Sequence, residues 1–142
     1  MRSISTVLMV AMASHAGAQQ QMCTNNIIDY NICDEAKRIA KEDGEHLPQA
    51  LSETVTLLSL TAEGNVLTTT VQLQYDRTYF ELALIKEGQT YEDIKRRMFN
   101  NSKDISCMSE PTRAFIGLGG HTRFEYQFKD GDFLFDFYVS VC

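Results

Sequence analysis

The sequence predicts an α+β domain in which two β-hairpins build a four-stranded antiparallel sheet, with helices on one face, in the order α-β-β-α-β-β. Three observations lead there. Aromatic residues alternate on both sides of Asp130-Gly131, an amphipathic stretch follows Cys33, and four cysteines, Cys23, Cys33, Cys107 and Cys142, lie toward the two ends of the chain.

The C-terminal segment is the most specific. Phe124, Tyr126 and Phe128 take alternate places between Arg123, Glu125, Gln127 and Lys129, which is the two-residue period of a half-buried strand. Beyond Asp130-Gly131 the period resumes at Phe133, Phe135, Phe137, Val139 and Val141. Asp-Gly between two such runs signals a tight hairpin, because glycine accepts the positive φ of the turn. A two-residue loop would pair 128 with 133, 126 with 135 and 124 with 137, so that aromatic meets aromatic on one face. A slip by one residue would divide them between faces, so burial itself specifies the register. On the opposite face the same register sets Glu125 against Asp136. Like charges so placed repel unless they are solvated or neutralised by a cation such as Arg123. Glu125, Asp136, Arg123, the neighbouring Tyr138 and the more distant Arg113 are therefore candidate partner-binding residues, with a basic surface as the complement of the acidic pair.

The 142 residues have room for one domain. Residues 1–18 read as a signal peptide: Arg2, a short apolar run from Ile4 to Ala13, and Ala16-Gly17-Ala18 as a small-residue cleavage site. The expected mature domain is 19–142, periplasmic or secreted and without stable membrane insertion. Removal of a leader that carries Arg2 and no acidic residue takes the formal charge from −6 to −7, an acidic balance that argues against nucleic acid as the partner. An even number of cysteines suits an oxidising compartment. Of the three possible pairings, Cys23 with Cys33 is local, and Cys107 with Cys142 ties the end of a helix to the end of the last strand. No Cys-x-x-Cys pair or Cys/His cluster has zinc-ligand spacing, so neither metal nor cofactor is expected.

In chain order, Ile32, Ala36, Ile39 and Ala40 recur at helical spacing, with Asp29 or Asn31 as N-cap and Gly44 and Pro48 as the stop. The stripe is narrow, which suits small residues packed on a sheet. Val55–Leu60 and Val66–Tyr75 flank the turn Glu63-Gly64-Asn65 as a first hairpin, although Val55/Leu57 and Leu58/Leu60 offer two parities. Residues 77–89, with Tyr79, Phe80, Leu82, Leu84 and Ile85, read as a strand extension or a short linking piece. Thr90 caps a second helix from Tyr91 to about Asn101, with Glu92 and Asp93 in its first turn and Tyr91, Ile94 and Met98 toward the core. Ser109-Glu110-Pro111 opens one more helical turn, ended by Gly117, Gly119 and Gly120. The fit of Arg113 near these glycines is a structural one, capping carbonyls or pairing with an acid.

Nucleophilic hydrolysis would require a serine or thiol beside a histidine base. The mature chain has only His46 and His121, and no nucleophile elbow surrounds a serine. The expectation is a protein that binds and does not catalyse. The sequence Cys107, Arg113, Gly119-Gly120, an aromatic strand, Asp130-Gly131, a second aromatic strand and Cys142 resembles small Gram-negative periplasmic disulfide proteins, including the α/β class of type II secretion pilotins. The resemblance spans roughly residues 47–142. It implies a binding protein that guides a secretin segment to the outer membrane, although pilotins are lipoproteins and here Ala18 is followed by Gln19, with no lipobox before Cys23. Two functions are carried forward. One is an accessory of an envelope or secretion assembly that holds a peptide segment of another protein, at a strand edge or between helix and sheet. The alternative is a periplasmic inhibitor or immunity protein that blocks an enzyme or toxin through an acidic face.

Overall fold

The computed structural model describes residues 23–25 and 28–142; the signal-peptide reading of residues 1–18 lies outside the described residues. Strands β1 (Thr24–Asn25) and β2 (Tyr30–Asn31) form a two-stranded ribbon ahead of α1 (Ile32–Gly44). The main sheet contains β3 (Gln49–Ala50), β4 (Val55–Glu63), β5 (Val66–Leu73), β6 (His121–Gln127) and β7 (Phe133–Val139), in that spatial order. Between β5 and β6 run α2 (Arg77–Glu87), α3 (Tyr91–Met108) and α4 (Glu110–Gly117).

The α+β class, the disulfides and the single helical layer agree with expectation, but the sheet does not. It has five strands, and it is mixed: β5 and β6 pair in parallel from Val66↔His121 to Gln72↔Gln127, while the other pairs are antiparallel. The predicted order α-β-β-α-β-β is corrected accordingly, with β3 added and three helices between the hairpins. A parallel pair requires a crossover, and residues 74–120 supply it. Turn chemistry reports only on strands adjacent in sequence, so it carried no information about this central pairing.

Residues 77–89 are neither strand nor linker. Asp76 accepts from the backbone N–H of Tyr79 at 2.8 Å and starts α2; Gly88, with φ of 62°, ends it in the left-handed conformation. Only Phe80 of this helix is buried, wedged among Tyr75, Tyr91 and Phe128. Helix α3 extends past Asn101 to Met108 from a Thr90–Asp93 capping box. Asn31, the second of the two expected caps, starts α1 by accepting from the backbone N–H groups of Cys33 and Asp34.

The final hairpin keeps the pairs 124↔137 and 126↔135 and sets Glu125 opposite Asp136. The expected 128–133 pair is replaced by Gln127↔Phe133, with Leu134 as an extra residue in β7. This bulge lets Phe128 and Leu134 both enter the core while Phe133 turns outward, 54% exposed. A second irregularity, at Leu58, settles the parity of β4: Leu57 and Leu60 both face the helical layer. At the start of β6 the glycine is required by contact, because a Cβ on Gly120 would lie 2.4 Å from the Phe115 ring.

The disulfides join Cys23 to Cys33 and Cys107 to Cys142, with Cα separations of 5.0 and 5.5 Å. Two buried polar pairs seat α3 on β6: Ser102 Oγ lies 2.9 Å from the Tyr126 hydroxyl, and Ser106 Oγ lies 2.9 Å from Thr122 Oγ1. Burial raises the Tyr126 pKa, and the bond to Ser102 opposes the rise only in part. A phenol whose folded pKa exceeds its unfolded value near 10 stabilises fully below pH 10, and that contribution is lost as pH rises through the folded value. Tyr126→Phe is thus expected to cost about 1 kcal/mol at neutral pH. It should also flatten the alkaline fall in stability, measured by urea unfolding on both sides of pH 10.

Candidate partner-binding site

The outer face of the sheet gathers four of the five predicted residues. Arg123 on β6 stands between the two carboxylates, with Nη2 2.7 Å from Asp136 and 3.2 Å from Glu125, and its Nε donates to Asp136 at 2.8 Å. The hydrogen bond to Asp136 first, and then the nearby charges, Asp136 and Glu125 among them, raise the guanidinium pKa further. The guanidinium also lies 5.5 Å from the centre of the Tyr138 ring, whose residue is 53% exposed. The like-charge opposition of Glu125 and Asp136 is met within the molecule. Arg113 does not join them: it is exposed on α4, in the helical layer, and forms no ion pair with a described residue. His121 Nδ1 lies 2.9 Å from Ser140 Oγ at the end of the last hairpin, and His46 is exposed. The imidazole of His121 forms no ion pair with a described carboxylate.

The sheet edges are partly stoppered. Short β3 covers Thr56 and Leu57 of β4, and Gly44 at the end of α1 approaches the Leu60 carbonyl. On β7, the Tyr91 hydroxyl donates to the Leu134 carbonyl at 2.9 Å, and Arg77 donates to that of Phe133 at 3.0 Å.

A larger feature lies on the covered face. Buried apolar residues form two clusters where a complete helical layer would give one. Ile32, Ala36 and Ile39 of α1 join Leu67, Phe115, Ile116 and Val139; Ile94 and Phe80 join Val71, Leu73 and the aromatic residues of β6 and β7. Between α1 and α3 the sheet carries a trough of about 850 Å³. Its floor is Leu57, Leu60, Leu67, Val71, Leu73 and Phe124; its walls include Ile39 and Leu47 on one side and Met98 and Ile105 on the other. Leu51, Tyr79 and Ile105 stand at its rim with more than half of their surface exposed. The narrow stripe of α1 is what leaves the gap: Ala36, fully buried, brings the helix down on the sheet without spreading sideways. The aromatic residues of the hairpin were legible as core, but the unfilled space beside them was not, since it belongs to neither helix alone.

No family model matches the chain, and no curated protein matches it significantly. Solved structures do. The Vibrio vulnificus type II secretion pilotin EpsS superposes with a TM-score of 0.60 at 12% identity, over 87% of this chain and 93% of its own. The Vibrio cholerae pilotin AspS gives 0.58 at 15% identity, over 88% and 94%. The fold is that of type II secretion pilotins. A Pseudomonas aeruginosa protein described as secreted shares it, with a TM-score of 0.59 at 15% identity over 76% of this chain and 88% of its own. The pilotin resemblance therefore holds at the level of the fold, over 87–88% of this chain. Within this pilotin fold, no described helix is long and apolar enough to cross a membrane.

Proposed function

We propose that this protein is an exported, non-catalytic accessory of an envelope or secretion assembly, and that it holds a helical segment of a partner protein in the trough between α1 and α3. The observation that carries the reading is the trough itself, an apolar floor on the helical side of the sheet between the described helices α1 and α3. The pilotin fold supports it. The floor offers side chains and no strand edge. An extended peptide lying there would leave its backbone N–H and C=O groups unpaired in apolar surroundings, whereas a helix satisfies its own. The eight residues of β5 span ~26 Å at ~3.3 Å each, and a helix rising ~1.5 Å per residue matches that length with roughly 17 residues.

The test is a pull-down from envelope extract with three oxidised baits: the wild type, Ile105→Glu, and Glu125→Gln/Asp136→Asn. Ile105 is exposed on the trough wall, so its substitution is expected to leave the melting temperature nearly unchanged while weakening partner binding at least tenfold. A partner lost with Ile105→Glu and retained by the outer-face variant supports the trough. Loss confined to the outer-face variant would transfer the function to the Arg123–Glu125–Asp136–Tyr138 surface and favour the inhibitor reading, for which exposed Tyr138 beside the charge cluster is the natural anchor.

A further inference from the structure

The rim of the trough carries three charges, Asp43 on α1, Glu87 at the end of α2 and Arg97 on α3, and all three side chains are exposed. The ion pairs among the described residues use Lys37, Arg38, Arg96 and Arg123 and none of these three. The contrast between the two adjacent arginines of α3 is informative. Arg96 pairs with Asp93 one turn back at 2.6 Å. Arg97 has only a neutral contact, donating to the Gln89 side-chain oxygen at 3.3 Å. Ile94, Arg97, Met98, Asn101 and Ile105 recur at helical spacing along the trough wall, which places the Arg97 stem on apolar surface and its guanidinium at the mouth. Its charge reaches Tyr75, where it opposes the rise in pKa that burial causes.

An amphipathic helix resting in the trough has an apolar face downward and two polar flanks against the walls. One wall offers a cation and the other an anion, so the flanks are not equivalent. We infer that the occupant is an amphipathic helix with carboxylate side chains along one flank, which pair with Arg97, and that Asp43 and Glu87 exclude acidic residues from the rest of the rim. Turning such a helix end for end exchanges its flanks, so the opposed charges also select its direction. The inference rests on the trough as docking site and adds the charge pattern and polarity of the partner segment. Rim charges of this kind tune specificity and association more than total affinity.

Two acetylated, amidated, fluorescently labelled peptides of about 18 residues provide the probe. They share an amphipathic leucine and alanine pattern and differ only in carrying Glu or Gln along one flank. Anisotropy titrations at low salt are expected to show the Glu peptide binding the wild type about fivefold more tightly than the Gln peptide. In Arg97→Gln that preference should vanish while affinity for the Gln peptide stays unchanged. Equal binding of the two peptides to the wild type, or a preference that survives in Arg97→Gln, overturns the inference and leaves the trough reading intact. If neither peptide binds the wild type, or Ile105→Glu binds both as well as the wild type does, the trough reading falls and the inference falls with it.

Discussion

Phe128→Ala is expected to destabilise the protein by about 3–5 kcal/mol, the range for deleting a fully buried aromatic side chain from a packed core. Phe128 is completely buried, and two residues of α2 pack on its ring. Phe80, the single buried residue of α2, meets it edge-on at 5.7 Å, and the guanidinium of Arg77, at the start of α2, lies 4.9 Å from its centre. The substitution therefore opens a cavity and removes the seat of a whole helix. Chemical denaturation should show the lower midpoint. Amide exchange should show α2 losing protection to a greater degree than α1, which packs in the other cluster. Equal loss across both helices would mean that α2 is held by something other than the Phe80–Phe128 contact.

The second large effect belongs to the terminal disulfide. Cys107→Ala/Cys142→Ala opens a crosslink between residues 35 apart in sequence, and the chain-entropy account predicts a loss of about 4 kcal/mol. The bond fastens the chain end beyond β7 to the last turn of α3, so it closes the far side of the same helix that walls the trough. Cys23→Ala/Cys33→Ala opens a crosslink between residues only 10 apart in sequence and should cost about 3 kcal/mol. Urea unfolding of the two double variants checks the order, and a larger loss at the shorter loop would overturn it.

Features legible in the sequence were those set by neighbours. Asn31 and Thr90 announce their helices because a side-chain oxygen two or three residues from a free N–H suffices as a cap. Phe124, Tyr126, Phe135 and Phe137 announce their register because only one pairing buries all four. Helix α2 was missed because Tyr79, Phe80, Leu82, Leu84 and Ile85 form no stripe, and Leu82 and Ile85 are in fact exposed. Its caps, Asp76 and Gly88, were the signal that could have found it. Among the candidate site residues, Arg123, Glu125 and Asp136 were placed correctly on one face, since alternation decides faces. Arg97 went unnoticed because a cation on a helix resembles any other until its surroundings are known.

The sequence by itself determined the α+β character, the starts of α1, α3 and α4 and the facing of the last two strands, and it favoured, among three possible pairings, the two disulfides that form. Each of these follows from contacts close in sequence or from the need to bury one face of a strand. Tertiary structure alone decided that β5 and β6 run side by side in parallel, that three helices form the crossover, and that α1 and α3 stand apart with an apolar trough between them. Those outcomes depend on how whole elements pack across long separations, where steric fit and closure of the layer outweigh local pattern.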